Sequence, residues 1–439
     1  MYRYPSPVGG MRAANRNLND RSNSWKKTKV GSHSYRGCGN LSPGQLADSL
    51  LWIRRALARW WDFRRPTSAH ATSWGAMNFN RLVMHVAHRL NLWNFGFSLA
   101  HGLTRKRMLV AFMFHGVDDH TQKKGLLEYD AGMDKRLFTY SIQAITRHFN
   151  VVDIEEFLKL ATGEQPLKRN TALLTFDDAL QGMVEHAFPI LEEYGCPSVI
   201  FAPTGCVGGR RLFWHLRVSN LFFRLDSSGL ARLQAATADM PSVAGDIISF
   251  TSLKDEDARR ESCRKAVEIM DSMSPQLVES IIGAWEGLLG NEYVLGIKCM
   301  SWEELEAVTH KRAAIESHAV WHRRLAPLSD EEINIELRDS RRELQRRLDR
   351  NVLTIAYPDG SFDDRVIRMT EAAGYRAAFT TKRGVCGVPI RGQDLFKIPR
   401  LGVYGRDEYE VNSCVGSVPI KYLLSKISRQ GPNHWPGGD

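Results

Sequence analysis

From residue 108 onward, short apolar runs alternate with segments of helical period. Met108–Phe114 is apolar throughout, the signature of a strand buried on both faces. Arg136–His148 then reads as a helix, Val151–Val152 as the start of a short strand, and Ile154–Leu160 as the next helix. The same pattern predicts strands at Ala172–Phe176, Ser198–Phe201, Ala313–Ile315, Val352–Ala356 and Ala377–Thr380. Gly182–Tyr194 reads as a helix that Gly195 stops. Ser329 with Glu332 forms a capping box, and Ile333, Leu337, Leu344 and Leu348 follow on one helical face. Strands alternating with helices predict an α/β fold around a parallel sheet, open or closed into a barrel.

Residues 206–300 interrupt that alternation. They are mostly helical in pattern, carry Trp214, Phe222 and Phe223 near their start, and are expected to be an insertion that shapes a substrate site. The expected division is a tail at 1–44, a helical extension at 45–107, the barrel at 108–410 and a C-terminal tail at 411–439. Residues 1–44 have few apolar positions and many turn formers, which predicts disorder. No stretch approaches the roughly 18 apolar residues of a membrane span.

Charge divides the chain at the same place. The net charge of +10 hides 18 basic and three acidic residues before residue 108, so that segment carries 18 − 3 = +15 and the remainder 10 − 15 = −5. Leu46–Arg65 places Leu50, Ile53, Leu57, Trp60 and Trp61 beside five arginines. Such a helix packs on its own protein body, lies on an anionic membrane surface, or meets nucleic acid; the acidic body argues against the last. Met1–Asn40 lacks the charged-then-apolar layout of a secretion signal, so a cytoplasmic location is expected, with peripheral contact at the inner membrane if 45–107 docks there. Seven scattered cysteines without a C-x-x-C pair exclude both a disulfide framework and a cysteine-based zinc site.

Chemistry concentrates where apolar strands end. The strand through Leu173 and Leu174 runs into Thr175-Phe176-Asp177-Asp178, and parallel α/β folds gather their active sites at such C-terminal ends. Asp-Asp also occurs at 118–119 and 363–364, so the pair alone says little. Ile315-Glu316-Ser317 leads to His318 and, four residues on, His322. Two imidazoles and a carboxylate form a facial metal set that leaves coordination positions open; Asp178, His318 and His322 supply it, and Asp177 stays free as a base. Two further strands end on Tyr357-Pro358-Asp359-Gly360 and on Phe114-His115-Gly116-Val117.

In this order, the T-F-D-D, H-x-x-x-H and Y-P-D-G elements resemble those of the polysaccharide deacetylases, the NodB-homology or carbohydrate esterase family 4 enzymes. The resemblance covers about residues 108–405 and implies a deformed (β/α) barrel of about seven parallel strands. It implies Asp177 as general base, Asp178, His318 and His322 as ligands of a divalent metal, commonly zinc, and the Asp359 amide, beside Tyr357, as oxyanion donor. Two departures stand out: Ala356 replaces the usual arginine, and Lys397-Ile398-Pro399-Arg400 replaces the late Leu-x-His that supplies the acid. Phe114-His115-Gly116-Val117 is similar to an early element of the exopolysaccharide subgroup, which makes His115 the substitute acid and Arg400 the substitute arginine at the substrate site. The implied function is metal-dependent hydrolysis of N-acetyl or O-acetyl groups from an oligo- or polysaccharide, in polysaccharide biosynthesis or modification. An inactive carbohydrate-binding barrel and a metal-dependent amidase on a non-sugar amide are the alternatives.

Overall fold

The computed structural model describes residues 96–98, 100, 102, 106–119, 132–208, 212–236, 241–271, 273–289, 298–405 and 407–427. The readings made for 1–44 and for Leu46–Arg65 lie outside these residues. No helix among the described residues is long and apolar enough to cross a membrane.

The chain runs β1 (Leu109–Phe114), β2 (Gly116–Asp118), β3 (Gly132–Asp134), α1 (Lys135–His148), β4 (Asn150–Val151), α2 (Ile154–Thr162) and β5 (Thr171–Asp177). A single π turn at Met183–Ala187 leads into α3 (Phe188–Glu193), followed by β6 (Ser198–Ala202). Five helices come next: α4 (Trp214–Arg224), α5 (Ser227–Ala235), α6 (Ser242–Phe250), α7 (Glu256–Asp271) and α8 (Pro275–Leu289). The alternation then resumes with α9 (Trp302–Thr309), β7 (Ala313–Ser317), α10 (Asp330–Leu348), β8 (Thr354–Ala356), α11 (Asp364–Ala372), β9 (Ala377–Arg383) and β10 (Ile398–Gly402). Helices α12 (Glu408–Gly416) and α13 (Val418–Ile427) close the described chain.

Seven parallel strands close on themselves in the order β1-β10-β9-β8-β7-β6-β5, and β5 pairs back to β1 along its length. The short β4 pairs with the first residues of β5. This is the (β/α) barrel that the alternating pattern and the resemblance lead one to expect. Side chains on each strand sort by the two-residue period of the pleat. On β1, Leu109 and Ala111 join one apolar cluster, whereas Val110, Phe112 and Phe114 join the other. The first cluster, with Leu173, Val199, Phe201, Phe379 and Ile398, fills the barrel, and Phe157 of α2 packs into it against Phe379. The second lies between the strands and the surrounding helices. Leu173, Thr175 and Asp177 share one face of β5, so the period that buries Leu173 also delivers Asp177 to the mouth.

The helices between β6 and β7 carry an apolar core of their own, including Val218, Phe222, Ile248, Ile281 and Trp285. Arg217 is nearly buried there and forks onto Glu286 at 2.8 and 2.6 Å and onto Glu279 at 2.6 Å.

Two expectations need correction. Residues 411–427 are not a tail: Val411, Val415, Val418 and Tyr422 are buried in the outer core. Residues 398–402, which the apolar pattern does not mark as a strand, form β10. Pro399 breaks the strand signature, and the register against β9 shifts at that residue, which is how a backbone without an N–H is accommodated inside a closed sheet.

Candidate active site

The C-terminal ends of β5, β7, β8 and β10 converge on one mouth. Beyond Asp177 the chain takes two left-handed residues, Asp178 (φ 74°) and Ala179 (φ 48°). In a continuing strand Asp178 would face away from Asp177. The left-handed bend, uncommon for residues with a Cβ, turns both carboxylates to one side.

After β7, the His318–His322 loop is pinned from both sides. His318 N–H donates to Ala202 O, and the amides of Thr204 and Gly205 donate to Ala319 O and Val320 O at 3.2 and 2.8 Å. From α10, the buried Glu336 carboxylate accepts from the amides of Val320 (2.7 Å) and Trp321 (3.0 Å). Ala319 and His322 are left-handed, with φ of 63° and 55°. Gly205 lies under the Trp321 ring so closely that a Cβ there would meet it at 2.5 Å. A buried Glu316 oxygen ties β7 to β8 by accepting from the amides of Leu353 and Thr354 at 2.8 and 2.6 Å.

These constraints bring Asp178, His318 and His322 together, all buried, with ligand atoms within 4.8 Å of one another. His318 Nδ1 is 2.8 Å from Ala356 O. A carbonyl only accepts, so Nδ1 carries the hydrogen and Nε2 turns its lone pair toward Asp178 Oδ1, 3.6 Å away. His322 Nε2 faces the same oxygen at 3.4 Å. Asp178 Oδ1 is buried and accepts no hydrogen bond from the described residues. Buried acceptors aimed at one another repel unless a cation lies between them. Burial, then the charges of Asp177 and Asp359, push the Asp178 carboxyl well above the usual range. Burial likewise lowers His318, and it brings His322 to about 3. Imidazole nitrogens aimed at a buried carboxylate oxygen that accepts no hydrogen bond from the described residues are a donor set that fits a divalent metal.

Asp177 has the opposite environment. Arg400 from β10 forks onto it, Nη1 to Oδ1 and Nη2 to Oδ2, each at 2.7 Å. Burial pushes the Asp177 carboxyl up, but the Arg400 charge, His318 and the Arg400 hydrogen bonds outweigh it and hold it well below the ordinary carboxylate range. Arg400 Nε donates to Thr380 O at 3.0 Å and Nη1 also to Thr175 Oγ1 at 3.2 Å. Its side chain is fully buried, which corrects its expected place at the substrate: it stands behind Asp177. Tyr357 is corrected in the same way. Its ring is buried against Phe362 and its hydroxyl faces Thr370, so the side chain belongs to the core.

Asp359, left-handed at φ 53°, stands at the rim with about a third of its side chain exposed. Its partner is one that sequence reasoning missed. His215, on the first turn of α4, places Nε2 3.4 Å from Asp359 Oδ2 and its ring edge-on to His322 at 5.4 Å. Burial raises Asp359, but the hydrogen bond from His215 and the charges of His322 and His215 hold it well below the usual range. The neighbouring Phe213 stacks on His322 at 4.4 Å. His215, His322 and Asp359 form a second group able to hold a cation, more open than the first. The only signal in the sequence was Phe213-Trp214-His215 at the start of the predicted insertion. His115 follows β1, where Phe114 pairs in register with Phe176, so it emerges level with Asp177 on the adjacent strand.

Residues 164–378 match the family described as polysaccharide deacetylase. The barrel extends beyond that match on both sides, from β1 to β10. YxkH of Bacillus subtilis (strain 168), whose name assigns it to the polysaccharide deacetylases, is 25% identical over 101 residues, which are 23% of this chain and 35% of that protein. The chain thus matches about a third of that relative's length. Among solved structures, IcaB from Ammonifex degensii is similar at 15% identity and a TM-score of 0.45, over 71% of this chain and 98% of that one. The Streptococcus pyogenes deacetylase PplD in complex with acetate is similar at 16% identity and a TM-score of 0.43, over 69% of this chain and 96% of that one.

Proposed function

We propose that this chain, whose residues 164–378 carry a polysaccharide deacetylase domain, hydrolyses acetyl groups from a carbohydrate in a metal-dependent reaction. The observation that carries the proposal is the pairing of two unlike carboxylates at one strand end. Asp178 is buried with its Oδ1 accepting no hydrogen bond from the described residues, beside two imidazoles, and Asp177 is buried with its charge held by Arg400.

Asp178, His318 and His322 would hold a divalent cation, which we assign as zinc from the nitrogen and oxygen donor set, and that ion would supply Lewis acidity at the acetyl carbonyl and acidify a water. Asp177 takes the proton of the attacking water, and the Arg400 fork keeps its carboxylate ionised and in fixed orientation. We assign the Asp359 backbone N–H to the oxyanion of the tetrahedral intermediate. His318 is kept in the required tautomer by Ala356 O, and Phe213 covers His322 against solvent. The substrate class is an acetylated oligo- or polysaccharide, and the likeness of Phe114-His115-Gly116-Val117 to the exopolysaccharide subgroup points to polymer biosynthesis or modification.

The test is acetate release from a panel of N- and O-acetylated glycans before and after chelation. Acetate that stops on chelation and returns with zinc is the expected result. Asp177→Asn should retain metal and lose activity by on the order of 10² or more. Bound metal without acetate from any glycan would favour the amidase or the inactive binder, and a chain that binds no metal would defeat the proposal.

A further inference from the structure

Among the described residues five large apolar side chains are exposed. Tyr140, Leu288 and Ile335 lie singly on helices α1, α8 and α10, where a lone exposed side chain needs no explanation. Trp321 (44% exposed) and Tyr404 (43% exposed) instead follow the C-terminal ends of β7 and β10, at the mouth that holds Asp177 and Asp178.

Both rings are held in place. A Cβ on Gly205 would stand 2.5, 2.6 and 2.7 Å from three adjoining atoms of the Trp321 ring. Such even spacing means contact on the ring face, since an edge-on approach would hold the flanking atoms farther off. The Trp321 amide is tied to Glu336, so backbone and ring are both anchored. On β10 the pleat sends Leu401 and Val403 into the outer core and Arg400 inward onto Asp177, and Tyr404 keeps the parity of Arg400. Val403 N–H still donates to Met113 O at 3.2 Å, and the Cys414 thiol donates to Tyr404 O at 3.1 Å. The Tyr404 ring covers Gly402, where any Cβ would collide with it. A Trp or Tyr ring fixed in this way gives up little conformational entropy when a ligand packs on it.

Around the ring, β7 and β10 are three steps apart one way (β7-β8-β9-β10) and four the other (β7-β6-β5-β1-β10), the widest separation that seven strands allow. β5, which carries Asp177, lies midway on the longer arc, two steps from each. Strands about 4.8 Å apart and tilted about 40° make such a ring on the order of 14 Å across. One pyranose cannot reach both aromatic rings. A chain crossing the mouth can, with its middle residue over the two carboxylates. The faces of a pyranose carry C–H groups, and an aromatic face, negative at its centre, receives them while apolar area on both partners leaves water.

We infer that Trp321 and Tyr404 are stacking platforms for the two sugar residues that flank the acetylated one, so that the site takes an internal residue of a chain of at least three sugars. The inference deepens the deacetylase reading above and rests on it.

The test reads chain length. Wild type, Trp321→Ala, Trp321→Phe, Tyr404→Ala and Tyr404→Phe are assayed as zinc-loaded full chains for acetate release from β-1,4- and β-1,6-linked N-acetylglucosamine oligomers of one to six units. Zinc content is measured on the same samples. Wild type should gain about tenfold or more in kcat/KM from monosaccharide to tetramer, through a lower KM. Each alanine variant should raise KM for the tetramer ~5- to 50-fold with kcat within about threefold, and each phenylalanine variant should recover most of that loss. A loss by the same factor at every length, with zinc reduced, would make Trp321 a mere support of the ligand loop and overturn the inference. Unchanged KM in either alanine variant, or wild type with no preference for longer chains, would overturn it and leave the deacetylase reading standing. If no oligomer yields acetate, it is the deacetylase reading that fails, and calorimetric titration with the hexamers then judges the platforms. Binding weakened in both alanine variants upholds them, and equal or absent binding overturns them.

Discussion

Replacing Arg400 by methionine isolates what the buried fork contributes. The guanidinium is fully buried and makes two charge-assisted bonds of 2.7 Å to Asp177, and it donates to Thr380 O and Thr175. Arg400→Met leaves the Asp177 carboxylate, itself 3% exposed, without its counter-charge. Breaking a buried pair from one side costs about 3–5 kcal/mol, because the remaining charge stays desolvated. That is a large part of the roughly 5–15 kcal/mol that holds a domain folded. Asp177→Asn should cost a similar amount from the other side. The double variant removes both charges, so its cost should fall short of the sum by on the order of 2 kcal/mol or more. Urea unfolding in chelator, followed by circular dichroism, reads each stability from midpoint and slope without metal linkage. Additivity within about 0.5 kcal/mol, or an Arg400→Met chain as stable as wild type, would refute the account. Arg400→Lys is the specificity control. It keeps the charge but cannot make the fork, so it should recover only part of the loss.

Two further predictions concern the ligand loop and its helix. Glu336→Ala frees the amides of Val320 and Trp321, so zinc affinity measured by competition with a chromogenic chelator should drop about 10- to 100-fold, and an unchanged affinity would count against its positioning role. Glu332 is drawn down to about 2, first by its hydrogen bond to Arg323 and then by the Ser329 amide and hydroxyl. A depressed carboxyl stabilises the fold above its unfolded pKa of about 4.3 and loses that contribution as pH falls toward 2, so Glu332→Gln should flatten the acid limb of unfolding midpoint against pH.

Much of the barrel is legible along the chain because its strands are buried on both faces. Continuous apolar runs such as Met108–Phe114 and Leu173–Phe176 have no other stable destination. The capping box at Ser329 and Glu332 is local chemistry and forms as the residues predict. Asp177, Asp178, His318 and His322 stand out as candidates because strand ends are where a parallel fold concentrates chemistry. Local pattern fails where stability comes from outside the segment. β10 carries Pro399 and a buried arginine, both poor strand signals, and it forms because the ring needs a seventh strand and the bulge absorbs the proline. Residues 411–427 carry short apolar stretches whose burial depends on a groove that other parts of the chain create.

The arrangement of side chains at the mouth was decided by the tertiary structure. Nothing in Lys397-Ile398-Pro399-Arg400 says that its guanidinium passes behind Asp177, because the two residues are 223 positions apart and meet through barrel closure. Tyr357 and Asp359 are two residues apart, yet the left-handed turn sends one side chain into the core and the other to the rim. His215 lies far along the chain from His322 and Asp359 and joins them only because the insertion docks its first helix over β7 and β8. Residue types and local periodicity determine which segments become strands and which ends carry reactive groups. Which of those groups face each other, and therefore what each can do, follows from the order in which the strands close.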